Sequence, residues 1–177
     1  MDSPLASVLL DTVRSRYREY KTLGERALTQ CPDDALTRVI APDSNSIVVI
    51  VHHLGGNLRS RWTDFLTTDG EKADRNRDEE FVEQAITRDV LMQWWEEGWT
   101  ACLNSLEVLR PTDLSRIITI RGQPLSIVDA LYRNLAHTSY HVGQIVLLAK
   151  AFAGETWHTL SIPRGGSDAY TQQLRPK

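Results

Sequence analysis

The chain has 177 residues, a length that suits one domain, and its 41% hydrophobic and 24% charged residues describe a globular protein rather than a disordered or fibrous one. With 20 basic residues against 23 acidic, the net charge is −3, which argues against a general nucleic-acid binder, since such proteins gather a basic excess into a patch. Two cysteines, Cys31 and Cys102, are too few for a disulfide framework, and no apolar run approaches the roughly 20 residues of a membrane span. Met1-Asp2-Ser3-Pro4 lacks the basic and apolar regions of a secretory leader. The expectation is a cytoplasmic protein with neither membrane nor nucleic acid as partner.

Four helices are predicted along the chain. The first covers about Leu5 to Thr29, where Val8, Leu9, Val13, Tyr17, Tyr20 and Leu28 recur mostly at spacings of three and four. Pro32 and Pro42 bracket a loop, after which Asp43 or Ser44 caps a second helix reaching about Leu66. The mixed-charge stretch Glu71 to Glu80 reads by default as a solvated loop. A third helix spans about Thr87 to Leu109 and is ended by Pro111. Arg116-Ile117-Ile118-Thr119-Ile120 followed by Arg121-Gly122-Gln123-Pro124 predicts a small strand or hairpin. Ser126, with Asp129 three residues on, opens the fourth helix, which runs to about Phe152, and the tail from Gly154 reads as irregular. The fold class is all-α, a four-helix bundle in one domain over 1–177.

The fourth helix carries His137 and His141, four residues apart, so both imidazoles leave one face about 6 Å from each other and could share a metal ion. Asn134, Tyr140 and Gln144 share that face, while Leu131, Leu135 and Val142 lie behind it. A polar stripe on a helix with an apolar back suggests a lined cavity whose buried groups need partners. The zinc-protease form of this motif requires Glu directly after the first His; Thr138 stands there, so that reading fails. A third ligand must come from another helix. On the second helix His53 lies at the edge of the apolar face beside Asn57, whereas His52 projects almost opposite it and reads as a surface residue. His158 falls in the tail. Three neutral imidazoles with an open position describe a catalytic rather than a structural site.

Together, Asn45-Ser46-Ile47 leading into His52-His53-Leu54-Gly55-Gly56-Asn57-Leu58-Arg59-Ser60-Arg61-Trp62, the Glu71 to Phe81 segment, Trp95-Glu96-Glu97-Gly98-Trp99, Ile120-Arg121-Gly122, the His137 to Ile145 segment and Leu160 to Ser167 resemble the DinB/YfiT-like metal-binding bundles, in their uncharacterised branch. The resemblance is collinear from about Ser44 to Ser167. It implies a homodimeric four-helix bundle holding a divalent metal on His53, His137 and His141, the trio that the helical wheel favours independently. Zinc or nickel is the first expectation for that metal, with iron or manganese as alternatives. It also implies a small-molecule thiol such as bacillithiol or mycothiol as a partner, used by a transferase in detoxification or stress response; the alternative is a non-catalytic metal-binding dimer. Asn134 stands where the resemblance leads one to expect a longer amide, Gln.

Around the trio, Asn57, Asn134, Tyr140 and Gln144 are candidates for holding the imidazoles or facing a substrate. Trp95 and Trp99, one turn apart, read as a core or interface stripe. Glu96 and Glu97 read as a solvated face, and Cys31 and Cys102 as structural. Arg59, Arg61 and Arg121 pair at the surface or meet an anionic substrate. The charged Glu71 to Glu80 segment, too well matched for a random linker, would cover the pocket or form a dimer contact.

Overall fold

A computed structural model describes residues 4–175. Helices α1 (Pro4–Gln30), α2 (Ile47–Trp62), α3 (Arg88–Val108) and α4 (Ile127–Ala153) form the bundle, with α2 packed mainly on α3 and α1 on α4. No helix among the described residues is long and apolar enough to cross a membrane. The expected ends of α1, α3 and α4 hold to within a residue or two. Helix α2 is shorter than expected at both ends. Its cap is Ser46, whose side chain accepts from the Val49 N–H at 3.2 Å, while Asp43 sits in a left-handed turn ahead of it with φ 61°. Beyond Trp62 the chain leaves the helix at Thr63, and Asp64 again has positive φ. The tail is also more regular than expected: a 3-10 turn at Gly154–Thr156 precedes a short helix, α5 (Ser167–Leu174), which buries none of its residues.

Apolar positions at helical spacing close the core, and its centre is aromatic. Trp62, Trp95, Trp99 and Tyr17 are all essentially fully buried. Tyr17 meets the rings of Trp62 and Trp99 edge-on, and Trp95 lies 5.4 Å from Trp99 between centroids. The Trp95/Trp99 stripe therefore belongs to the core. Helices α2 and α3 cross at glycines. A Cβ on Gly98 would lie 2.6 Å from the Gly55 Cα, so the two backbones touch.

Strands β1 (Ile117–Ile120) and β2 (Gln123–Ser126) pair antiparallel, Ile117 opposite Ser126 and Ile120 opposite Gln123. Alternation along β1 turns Ile118 and Ile120 inward. The two-residue turn, Arg121 (φ 56°) and Gly122 (φ 69°), has the positive dihedrals that suit the twist of a tight hairpin. The Asp69 carboxylate fastens this turn to the chain after α2, accepting from the backbone N–H groups of Arg121 (2.8 Å), Gly122 (2.8 Å) and Glu71 (2.7 Å). Those three donors hold the carboxyl far below its usual range.

Candidate metal centre

His53 on α2 and His137 and His141 on α4 meet where the two helices face each other. One ring nitrogen from each lies within 4.8 Å of the others. The His53 and His137 Nε2 atoms are 3.2 Å apart, and those of His141 and His137 are 3.1 Å apart. Tetrahedral zinc–nitrogen bonds of about 2.05 Å would put ligand nitrogens about 3.3 Å apart, so the spacing suits a single small cation.

The far side of two rings fixes their protons. Glu80 is buried, and burial raises its carboxyl, but hydrogen bonds from His53 and Arg75 outweigh that and hold it below its ordinary value. It can only accept, so His53 Nδ1–H donates to Glu80 Oε2 at 3.0 Å. His141 Nδ1–H donates to Gln144 Oε1 at 2.8 Å, and Gln144 Nε2 in turn donates to the Tyr140 hydroxyl at 3.1 Å. In the neutral rings that metal ligation requires, both Nε2 atoms are then lone pairs aimed at His137. His137 has one ring proton to offer two acceptors, and its buried Nδ1 has no partner. A cation taking all three Nε2 lone pairs resolves that conflict, so the donor set fits a divalent metal. Burial, reinforced by the neighbouring imidazoles, pushes His137 down to about 3 and His141 to about 4, keeping both neutral as ligation requires.

Beneath the trio the two asparagines form a buried network. Asn134 Oδ1 accepts from the Tyr17 hydroxyl (3.0 Å) and Trp62 Nε1 (2.9 Å), while Asn134 Nδ2 donates to Asn57 Oδ1 (2.9 Å). Both amides also line the cavity beside His53 and His137. Tyr140 is 61% exposed, so it stands at the edge of the site rather than inside it.

The Glu71 to Glu80 stretch is solvated along most of its length but is anchored inward at Arg75 and Glu80. Arg75 and Glu80 side chains are each 5% exposed and pair through two hydrogen bonds, Nε to Oε1 at 2.8 Å and Nη2 to Oε2 at 2.7 Å. Glu80 lies over Gly56, where a Cβ would strike its carboxylate. Glu80 and Arg75 are the site residues that sequence reasoning missed; five residues apart in a mixed-charge run, they follow no helical spacing, and the one signal was the position of the run in the resemblance.

Other residues fall outside the cluster. His52 is half-buried rather than on the open surface, its ring stacked on Trp94 at 4.0 Å. His158 is exposed, with its backbone held by Gln30. Glu96 pairs with Lys21 and Glu97 with Arg59. Burial raises the thiols of Cys102 and Cys31, so neither offers a ready thiolate.

The family described as "Protein of unknown function (DUF1572)" matches residues 5–166. The chain belongs to DUF1572. This DUF1572 protein is similar to a DinB-like protein from Bacillus cereus ATCC 10987, whose crystal structure superimposes with a TM-score of 0.59 over 81% of this chain and 89% of that one, at 17% identity. At that identity the likeness is one of fold, and the fold is DinB-like. No curated protein matches the DUF1572 chain.

Proposed function

We propose that this protein binds one divalent metal on His53, His137 and His141 and uses it to transfer a small thiol to an electrophile. The convergence of three Nε2 atoms beside a cavity lined by His53 and His137 carries the reading. A bound divalent cation with an open position would supply stabilisation of a thiolate at neutral pH. Glu80 and Gln144 keep the Nδ1 protons of His53 and His141 in place, and Asn57 and Asn134 present amides to the cavity. In the transfer itself, the thiol proton passes to solvent, the sulfur forms a bond to the electrophilic carbon, and the leaving group departs with its electron pair. The sulfur comes with the substrate, because both cysteines are buried away from solvent.

Turnover of several small thiols with a generic electrophile tests the proposal. A metal-dependent rate that disappears in His53→Ala is expected; a wild-type rate no greater than that of the variant would overturn it. A second reading, a non-catalytic metal-binding protein, draws on the buried Arg75–Glu80–His53 chain, through which a metal would tie the covering segment to the bundle. It expects chelation to lower the melting temperature with no turnover.

A further inference from the structure

The cavity beside the trio, about 180 Å³, is walled by arginines: Arg61 from α2, Arg75 and Arg77 from the covering segment, Arg121 from the hairpin turn and Arg133 from α4. Arg133 lies one helical turn before His137, on the same face. Few carboxylates answer these five guanidinium groups. Glu71 is shared among Arg61 (2.9 Å), Arg75 (3.3 Å) and Arg121 (2.9 Å), and Glu80 is taken by Arg75 and His53. Arg77 has a loose 3.9 Å pair with Asp78, itself 97% exposed, and Arg133 enters no ion pair among the described residues. Gathering like charges around a concave wall is unfavourable unless an anion enters, and a metal on the trio would make the wall more positive still.

We propose that this cavity is an oxyanion pocket: the molecule that reaches the histidine centre carries a carboxylate or phosphate group held by Arg133, Arg77 and Arg121. This rests on the trio being the functional centre and narrows its substrate class to small anionic molecules. Guanidinium forks suit planar carboxylate and phosphate oxygens, which accept two parallel N–H bonds. The amides of Asn57 and Asn134 give the same cavity neutral polar groups for the uncharged part of the ligand.

Calorimetric titration with succinate, inorganic phosphate and the neutral analogue succinamide tests the pocket, on chelator-stripped protein and, for succinate and succinamide, on zinc-reloaded protein. Succinate or phosphate should bind the stripped protein, succinamide should not, and Arg133→Gln and Arg77→Gln should each weaken the anion about tenfold without altering zinc content or far-UV circular dichroism. Preference for succinate would assign a carboxylate, and preference for phosphate a phosphoryl group. The proposal is overturned if neither anion binds, or if succinate binds only with zinc present and indifferently to both arginine variants, since it would then sit on the metal alone. Uptake of no zinc, with anions still bound through the arginines, would sink the metal reading and leave the pocket standing.

Discussion

Glu80 Oε2 accepts from His53 Nδ1 at 3.0 Å although 27 residues separate them, and the same oxygen accepts from Arg75 Nη2 at 2.7 Å. One carboxylate thus fixes the tautomer of a candidate ligand and neutralises a buried guanidinium. A carboxylate behind a ligating imidazole raises its basicity and locks its ring orientation.

Glu80→Gln keeps the shape and removes the charge. Zinc affinity, read by competition with a chelating dye, should fall about 10–100-fold. Glu80→Ala should also cost about 1–3 kcal/mol in urea denaturation, because buried Arg75 loses its two-bond partner and keeps only the shared Glu71 at 3.3 Å. The exposed neighbour Glu79 serves as control, and Glu79→Gln should change neither quantity. Equal effects at both positions would show that Glu80 has no special place.

Metal-stripped protein should lose stability as the pH falls. His137 and His141 have folded values of about 3 and about 4, below the roughly 6.5 of an unfolded histidine, so the unfolded chain takes up their protons first. Stability is therefore complete above about pH 6.5 and declines below it, down to about 4 for His141 and about 3 for His137. Melting temperatures of chelator-treated protein at pH 7.5 and 5 should show the drop, and the His137→Ala/His141→Ala double variant a much smaller one. Staying at pH 5 or above keeps Glu80, already below its ordinary value, ionised. A flat wild-type profile would contradict buried neutral imidazoles.

Asn134→Leu separates support of the core from ligation. It strands the Tyr17 hydroxyl, Trp62 Nε1 and Asn57 Oδ1, each held now by the Asn134 amide, although Tyr17 keeps the Leu131 carbonyl at 3.2 Å. Each buried polar group left without a partner costs about 1–3 kcal/mol, so a loss of at least about 2 kcal/mol is expected by urea denaturation. Zinc content should remain that of the wild type, since the histidines are untouched. Loss of zinc from a folded variant would move Asn134 into the metal-holding set.

Much of this is legible in the amino-acid sequence. Helical spacing, the Pro111 stop and the Ser126 cap place α1, α3 and α4 nearly to the residue, because each of these signals is local. His137 and His141 followed from one helix, and His53 over His52 from the edge of an apolar face. What stayed hidden depends on contacts between distant segments. The Arg75–Glu80 pair, the Asn134–Tyr17–Trp62 network and the arginine-lined cavity each join residues from different elements, and no periodicity in a single stretch encodes them. The start of α2 was misplaced for another reason: Asp43 and Ser44 have capping chemistry, but positive φ at Asp43 makes a turn there and leaves Ser46 as the cap.

The contact between Gly55 and Gly98 has a consequence for the chemistry two residues before it. Helix α2 carries adjacent histidines, and a rotation of about 100° about its own axis would exchange them. With no side chain on either glycine, the α2 and α3 backbones mesh in one angular phase, the one that delivers His53 to α4 and lays His52 on Trp94. Selectivity between two chemically identical imidazoles thus rests in part on a pair of residues that have no side chains at all.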